Sequence, residues 1–290
     1  MSHVTDVDYE EEKEQKHEQK RHVVFDHRAM TCVFSLVLFL VIELLVTLIT
    51  DMAGIDGFLG KVPLMRAVCI VSAVLMCLFF ELRFRGQFEG MFKWSGRGLL
   101  LIAPCLLLAW ANIYDLVDLV FDGGQISSVP MSLFMAAAAG ISEEVVFRGV
   151  PACNWMRVAR GERDILRCTI FTSLVFGLVH GTNALAGAAL SASLFQMFYA
   201  ACLGILFCAV LLRTGSIWPL IIMHTFIDFT AFLGIDLSHA GLLTEGLTID
   251  MEFFVTLQTA LAVAAWGLYL IRPEKRPEIV ALWDKKWHKA

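Results

Sequence analysis

This sequence predicts an all-α, polytopic membrane protein of about eight transmembrane helices, and three observations carry that prediction. Hydrophobic residues make up 58% of the chain and charged residues 18%, and the mean hydropathy is +0.68, values that exclude an ordinary soluble domain. Apolar runs of the length needed to cross a hydrocarbon core, about 20 residues, recur at 29–50, 62–80, 98–121, 130–150, 164–181, 189–212, 216–235 and 251–271. Lys and Arg fall on alternate connections: 20 of the 23 lie in the N-terminal tail, at 81–97, at 157–167, at Arg213, or beyond Leu270. By the positive-inside rule both termini are then expected in the cytoplasm, with the chain in the cell membrane.

Residues 1–28 form a polar tail without the apolar core and small-residue cleavage site of a signal peptide, so a disordered cytoplasmic segment is expected there. The membrane domain is assigned to 29–271, with a catalytic core at about 130–235, and 272–290 form a basic, aromatic tail. In the first two spans Glu43 and Arg66 stand equally far from the loop at 52–57, so a helical hairpin would bring them together as an ion pair. Phe84, Phe88, Met91 and Phe92 follow helical spacing among basic residues, which predicts a helix lying in the headgroups. Trp283 and Trp287, among lysines, read as membrane-surface anchors in the same way. Asp115 and Asp118 sit at the wet end of the third span, and the eight cysteines, without Cys-x-x-Cys or metal-ligand spacing, read as packing residues.

The fourth apolar run ends in Ile-Ser-Glu-Glu-Val-Val-Phe-Arg-Gly at 141–149, which places three ionisable groups at the edge of a span. A charge inside a bilayer costs at least a few kcal/mol, so these groups must be paired, solvated or used. On an α-helix Glu144 and Arg148 share a face and would pair, leaving Glu143, rotated away, as a buried base. The basic turn at 157–163 lies midway between Glu143 and His180, so two antiparallel helices return them to one depth as a water-activating pair. In the seventh run His224 and Asp228, at i and i+4, are directed at one point. Four chemistries use such groups. A zinc site of Glu143, His180 and His224 has no His-Glu-x-x-His helix to support it. A proton-coupled transporter and a non-catalytic scaffold or immunity factor would also keep buried polar groups. A hydrolase, in which a carboxylate activates water and other side chains hold the oxyanion, gives each group a role suited to it.

Three motifs in one order carry a resemblance: Glu143-Glu144-x-x-x-Arg148, Phe176-x-x-x-His180 and His224-x-x-x-Asp228, with Gly-Ser-Ile-Trp-Pro at 215–219 before the last. Over about 141–228 the chain resembles the intramembrane glutamic proteases of the CAAX-processing and bacteriocin-processing group, the Abi family. The resemblance implies an eight-helix membrane endopeptidase without metal or other cofactor. Glu143 and His180 would activate water, His224 and Asp228 would hold the oxyanion, and Glu144, Arg148 and Phe176 would support them. The implied partners are a peptide or membrane-protein substrate and the lipid bilayer, with no nucleic acid. CAAX-processing members carry asparagine where this chain has Asp228. An ionised Asp228 cannot donate a hydrogen bond, so it would either accept one from a histidine or act as a donor in protonated form, the role the resemblance favours.

Overall fold

The computed structural model of the chain describes residues 28–55, 58–159, 161–185, 187–234 and 246–288, so the polar tail at 1–27 lies outside it. Among the described residues all regular structure is helical. Helices α1 (Arg28–Met52) and α2 (Phe58–Arg83) form the first two spans. The third span is broken into α3 (Gly96–Ile102) and α4 (Leu106–Phe121) by a 3-10 turn at Ala103–Cys105, where Pro104 has no N–H for the helical ladder. Ser95 opens α3 by accepting the Gly98 N–H at 3.2 Å. The fourth span runs through α5 (Val129–Glu143), a π-helical segment (Glu144–Gly149) and α6 (Val150–Arg157). There follow α7 (Arg163–Val179), a 3-10 turn (His180–Ala184), α8 (Leu190–Thr214), α9 (Trp218–Leu233), α10 (Met251–Leu270) and α11 (Arg276–Lys286).

Among the described residues, seven helical stretches are long and apolar enough to cross a membrane. Alpha-helix α9, the run expected at 216–235, is shorter, because Ser216 and Ile217 lie ahead of its first turn and Gly234 closes it. Its 16 residues span about 24 Å. It packs between α5 and α4, which supply protein contact where lipid would otherwise be needed, while α8 packs on both α7 and α10, and α2 packs on α5. The α5–α9 contact depends on Gly140. A Cβ there would lie 3.0 Å from the Ile221 carbonyl and the Thr225 nitrogen, so any larger residue would push the two helices apart. The bundle turns large apolar side chains outward, among them Leu44 and Leu48 on α1, Leu75 and Phe79 on α2, and Trp110 and Phe121 on α4. Such a surface is at home against lipid and not in water.

Two expectations are corrected here. The segment after α2 is not a headgroup helix: Gly86 and Gly90 both take φ of +77°, which breaks a helix at two points, and the chain runs as turns and extended backbone up to α3. Phe92 and Trp94 stay exposed, but Phe84 and Phe88, with Trp283 and Trp287 at the C-terminal end, point inward. Phe84, Phe88 and Met91 are buried, Trp287 stacks on Phe88 with centroids 4.3 Å apart, and the Trp283 indole N–H donates to the Leu212 carbonyl at 3.0 Å. Lys286, also buried, donates to the Gly90 carbonyl at 2.7 Å. The period that resembled a membrane-surface stripe is therefore the inner face of a clasp between the C-terminal helix and the α2–α3 connection.

Candidate active site

The backbone of the Glu-Glu motif departs from an α-helix. Pro151, in the first turn of α6, cannot donate to the Phe147 carbonyl, and its ring would crowd that group in a regular helix. The chain widens by one residue instead, and the Val150 N–H donates to the Val145 carbonyl, five residues back. Glu143 and Glu144 themselves keep α-helical dihedrals, φ/ψ −70°/−40° and −67°/−39°, so they leave the helix at different angles and approach different nitrogens of His224.

Both carboxylates meet His224. Glu144 Oε1 lies 2.7 Å from His224 Nδ1 and also accepts from Arg148 Nη1, while Glu143 Oε2 lies 3.9 Å from His224 Nε2. Asp228 Oδ2 stands 3.5 Å from the same Nε2. Direct N–H···O bonds are about 2.7–3.2 Å long. The Nδ1 contact is thus a closed hydrogen bond, and the two Nε2 separations leave the ring edge open.

Glu143 is not free of arginine. Arg66, from α2, donates through Nη1 to Glu143 Oε1 at 2.7 Å. This overturns the reading of Glu143 as the unpaired member, and it gives Arg66 a partner far from the hairpin one expected from position alone; the Glu43 side chain lies outside the described residues. The sequence signal for Arg66 was present as a charge inside a span, but helix spacing cannot reveal a partner 77 residues away.

The two ion pairs differ in depth. The side chains of Glu144 and Arg148 are 0% and 1% exposed, whereas those of Glu143 and Arg66 are 9% and 17% exposed and that of Asp228 is 26%. Arg148 is enclosed further by aromatic rings, its guanidinium 3.7 Å from the Phe176 centroid and 5.2 Å from that of Phe207. Phe176 also stands edge-on to His180, with centroids 4.7 Å apart, and to His224, at 6.2 Å. Phe207, on α8, was missed because nothing in its sequence context separates it from other apolar residues of that run.

His180 closes α7. Its Nδ1 lies 2.9 Å from the Phe176 carbonyl. A carbonyl can only accept, so Nδ1 carries the hydrogen, and the lone pair of the neutral ring is at Nε2. His180 lies within coulombic reach of Glu143, His224 and Asp228. The structure thus gathers Glu143, Glu144, Arg148, Phe176, His180, His224 and Asp228 at one place, fed by α5, the π segment, α7 and α9. Among the described residues no group of three His, Cys, Asp or Glu side chains is arranged to hold a metal ion.

Residues 125–230, which contain the whole of this cluster apart from Arg66, match the family model described as Type II CAAX prenyl endopeptidase Rce1-like. Comparison with curated proteins and with solved structures gives no match. The helices that converge acidic and histidine side chains thus lie inside the stretch that is similar to Rce1-like type II CAAX prenyl endopeptidases.

Proposed function

We propose that this protein is a metal-independent intramembrane endopeptidase of the glutamic type, acting on the C-terminal tail of prenylated CAAX substrates. The observation that carries the reading is the division of labour between the two histidines. His180 presents a lone pair at Nε2, while His224, with Glu144 at Nδ1 and two carboxylates facing Nε2, sits where both of its nitrogens donate. Three carboxylates, Glu143, Glu144 and Asp228, face two guanidiniums, Arg66 and Arg148, so an imidazolium at His224 balances the charge.

The reaction runs in two steps. Water held between Glu143 and His180 attacks the scissile carbonyl carbon as its proton passes to this pair, and the carbonyl electrons move to oxygen. The resulting oxyanion lies against His224 Nε2–H, in the gap that the 3.5 Å and 3.9 Å separations leave. Collapse re-forms the carbonyl, breaks the C–N bond and delivers the proton to the departing amine. Glu144 and Arg148 hold His224 and exchange no atom.

The test is cleavage of a farnesylated CAAX peptide by purified protein, followed by mass spectrometry. Wild type should release the terminal tripeptide, and Glu143→Gln, whose amide oxygen can still accept from Arg66, should abolish release in protein that still unfolds cooperatively in detergent. Full activity in folded Glu143→Gln would refute the role of Glu143.

A further inference from the structure

Arg66 lies outside the family match, on α2, yet it makes the shortest contact to Glu143. We propose that Arg66 is a positioning residue for Glu143, an assignment that rests on the glutamate–histidine reading above. The guanidinium takes Oε1 at 2.7 Å and thereby leaves Oε2 as the oxygen turned to the open edge of His224. A carboxylate on the end of a flexible side chain has no other reason to present one oxygen rather than both.

A merely structural tie between α2 and α5 would not need a charge. Two other ties between helices of the bundle are neutral: Asn154 donates to Thr31 at 2.7 Å, and Asn112 to Thr230 at 3.1 Å. Charges are costlier than amides in a bilayer, so an ionic tie calls for a use of the charge itself. The partial exposure of Arg66 and Glu143, against the sealed Arg148–Glu144 pair, marks the former as the pair within reach of water. When Glu143 takes the proton of the attacking water it becomes neutral, and negative charge appears on the oxyanion. Arg66 then keeps its positive charge beside the site, behind the neutral carboxyl, without exchanging an atom itself.

The deciding experiment measures kcat and KM of wild type, Arg66→Gln, Arg66→Lys and Glu143→Gln on a farnesylated CAAX peptide, with thermal unfolding recorded for each. Arg66→Gln should lower kcat about 10- to 100-fold with KM changed by less than about threefold, the pattern of an interaction used in the transition state. Arg66→Lys keeps the charge and should recover kcat to within about fivefold of wild type. Folded Arg66→Gln with wild-type kcat, or equal losses in the Lys and Gln variants, overturns the assignment. If Arg66→Gln does not fold, Arg66→Lys decides alone: retained kcat and KM support the assignment, and a KM change without a kcat change overturns it. An inactive wild type, or an active Glu143→Gln, sinks the catalytic reading and this assignment with it. Active wild type, inactive Glu143→Gln and unaffected Arg66→Gln remove Arg66 alone.

Discussion

Of the two jobs open to Asp228, we propose that it accepts from His224. Its Oδ2 lies 3.5 Å from a ring nitrogen whose counterpart, Nδ1, is already bonded to Glu144. An acceptor suits that position better than a donor, because His224 Nε2 then points its hydrogen between Asp228 and the substrate oxygen. Asp228→Asn should therefore slow turnover by about one to three orders of magnitude at every pH, as loss of an orienting carboxylate does. A pH–rate profile checks this: retained activity, with the decline at high pH removed, would restore the protonated-donor role. Arg148 is a different case. It is buried to 1% exposure between two aromatic rings, and Arg148→Ala removes the guanidinium partner of the buried Glu144, leaving His224 alone against it. Unfolding in detergent should show a loss of about 3–5 kcal/mol together with loss of activity.

At the scale of elements, α11 matters more than its terminal place suggests. Trp283 is fully buried and bonded to α8, and Trp287 and Lys286 hold the α2–α3 connection, which in turn accepts the Ile217 N–H ahead of α9 at the Met91 carbonyl. Trp283→Ala should cost about 3–5 kcal/mol, the usual range for a buried large aromatic. A surface anchor would cost far less, so a denaturation curve separates the two roles. The outer face of this clasp carries a pH signature. Lys275 and Arg213, both bonded to Glu278 at 2.7 Å and 2.9 Å, hold its carboxyl down at about 2, from an ordinary value of 4.5. A depressed folded value means that the contribution is complete above the ordinary value and fades as pH falls toward about 2. Glu278 is exposed, so the effect is small. The difference in tryptophan fluorescence between wild type and Glu278→Gln should be constant above pH 4.5 and vanish near pH 2.

At the scale of the molecule, the outward apolar faces and the seven long spans among the described residues make this an integral, multi-pass membrane protein. The catalytic reading makes one demand on it as a whole. Every step is assigned to side chains of this chain, so a strong chelator should leave peptide cleavage unchanged. Activity lost to the chelator and regained with zinc would instead turn Glu143, His180 and His224 into ligands.

The sequence by itself determined the helical class, most of the long apolar helices and the local spacing of the polar residues within them. Hydropathy over 20-residue windows, and polar residues at three- and four-residue spacing, are local properties of a chain in a bilayer. The pairing of Glu144 with Arg148 and the approach of His224 to Asp228 follow from one turn of helix. What the tertiary structure decided were the matters that local spacing does not encode. The packing of α5 on α9 brought both Glu143 and Glu144 to His224. The packing of α2 on α5 brought Arg66 to Glu143. The inward face of α11 took tryptophans that sequence alone placed at the membrane surface, because an aromatic stripe has the same period whether lipid or protein covers it.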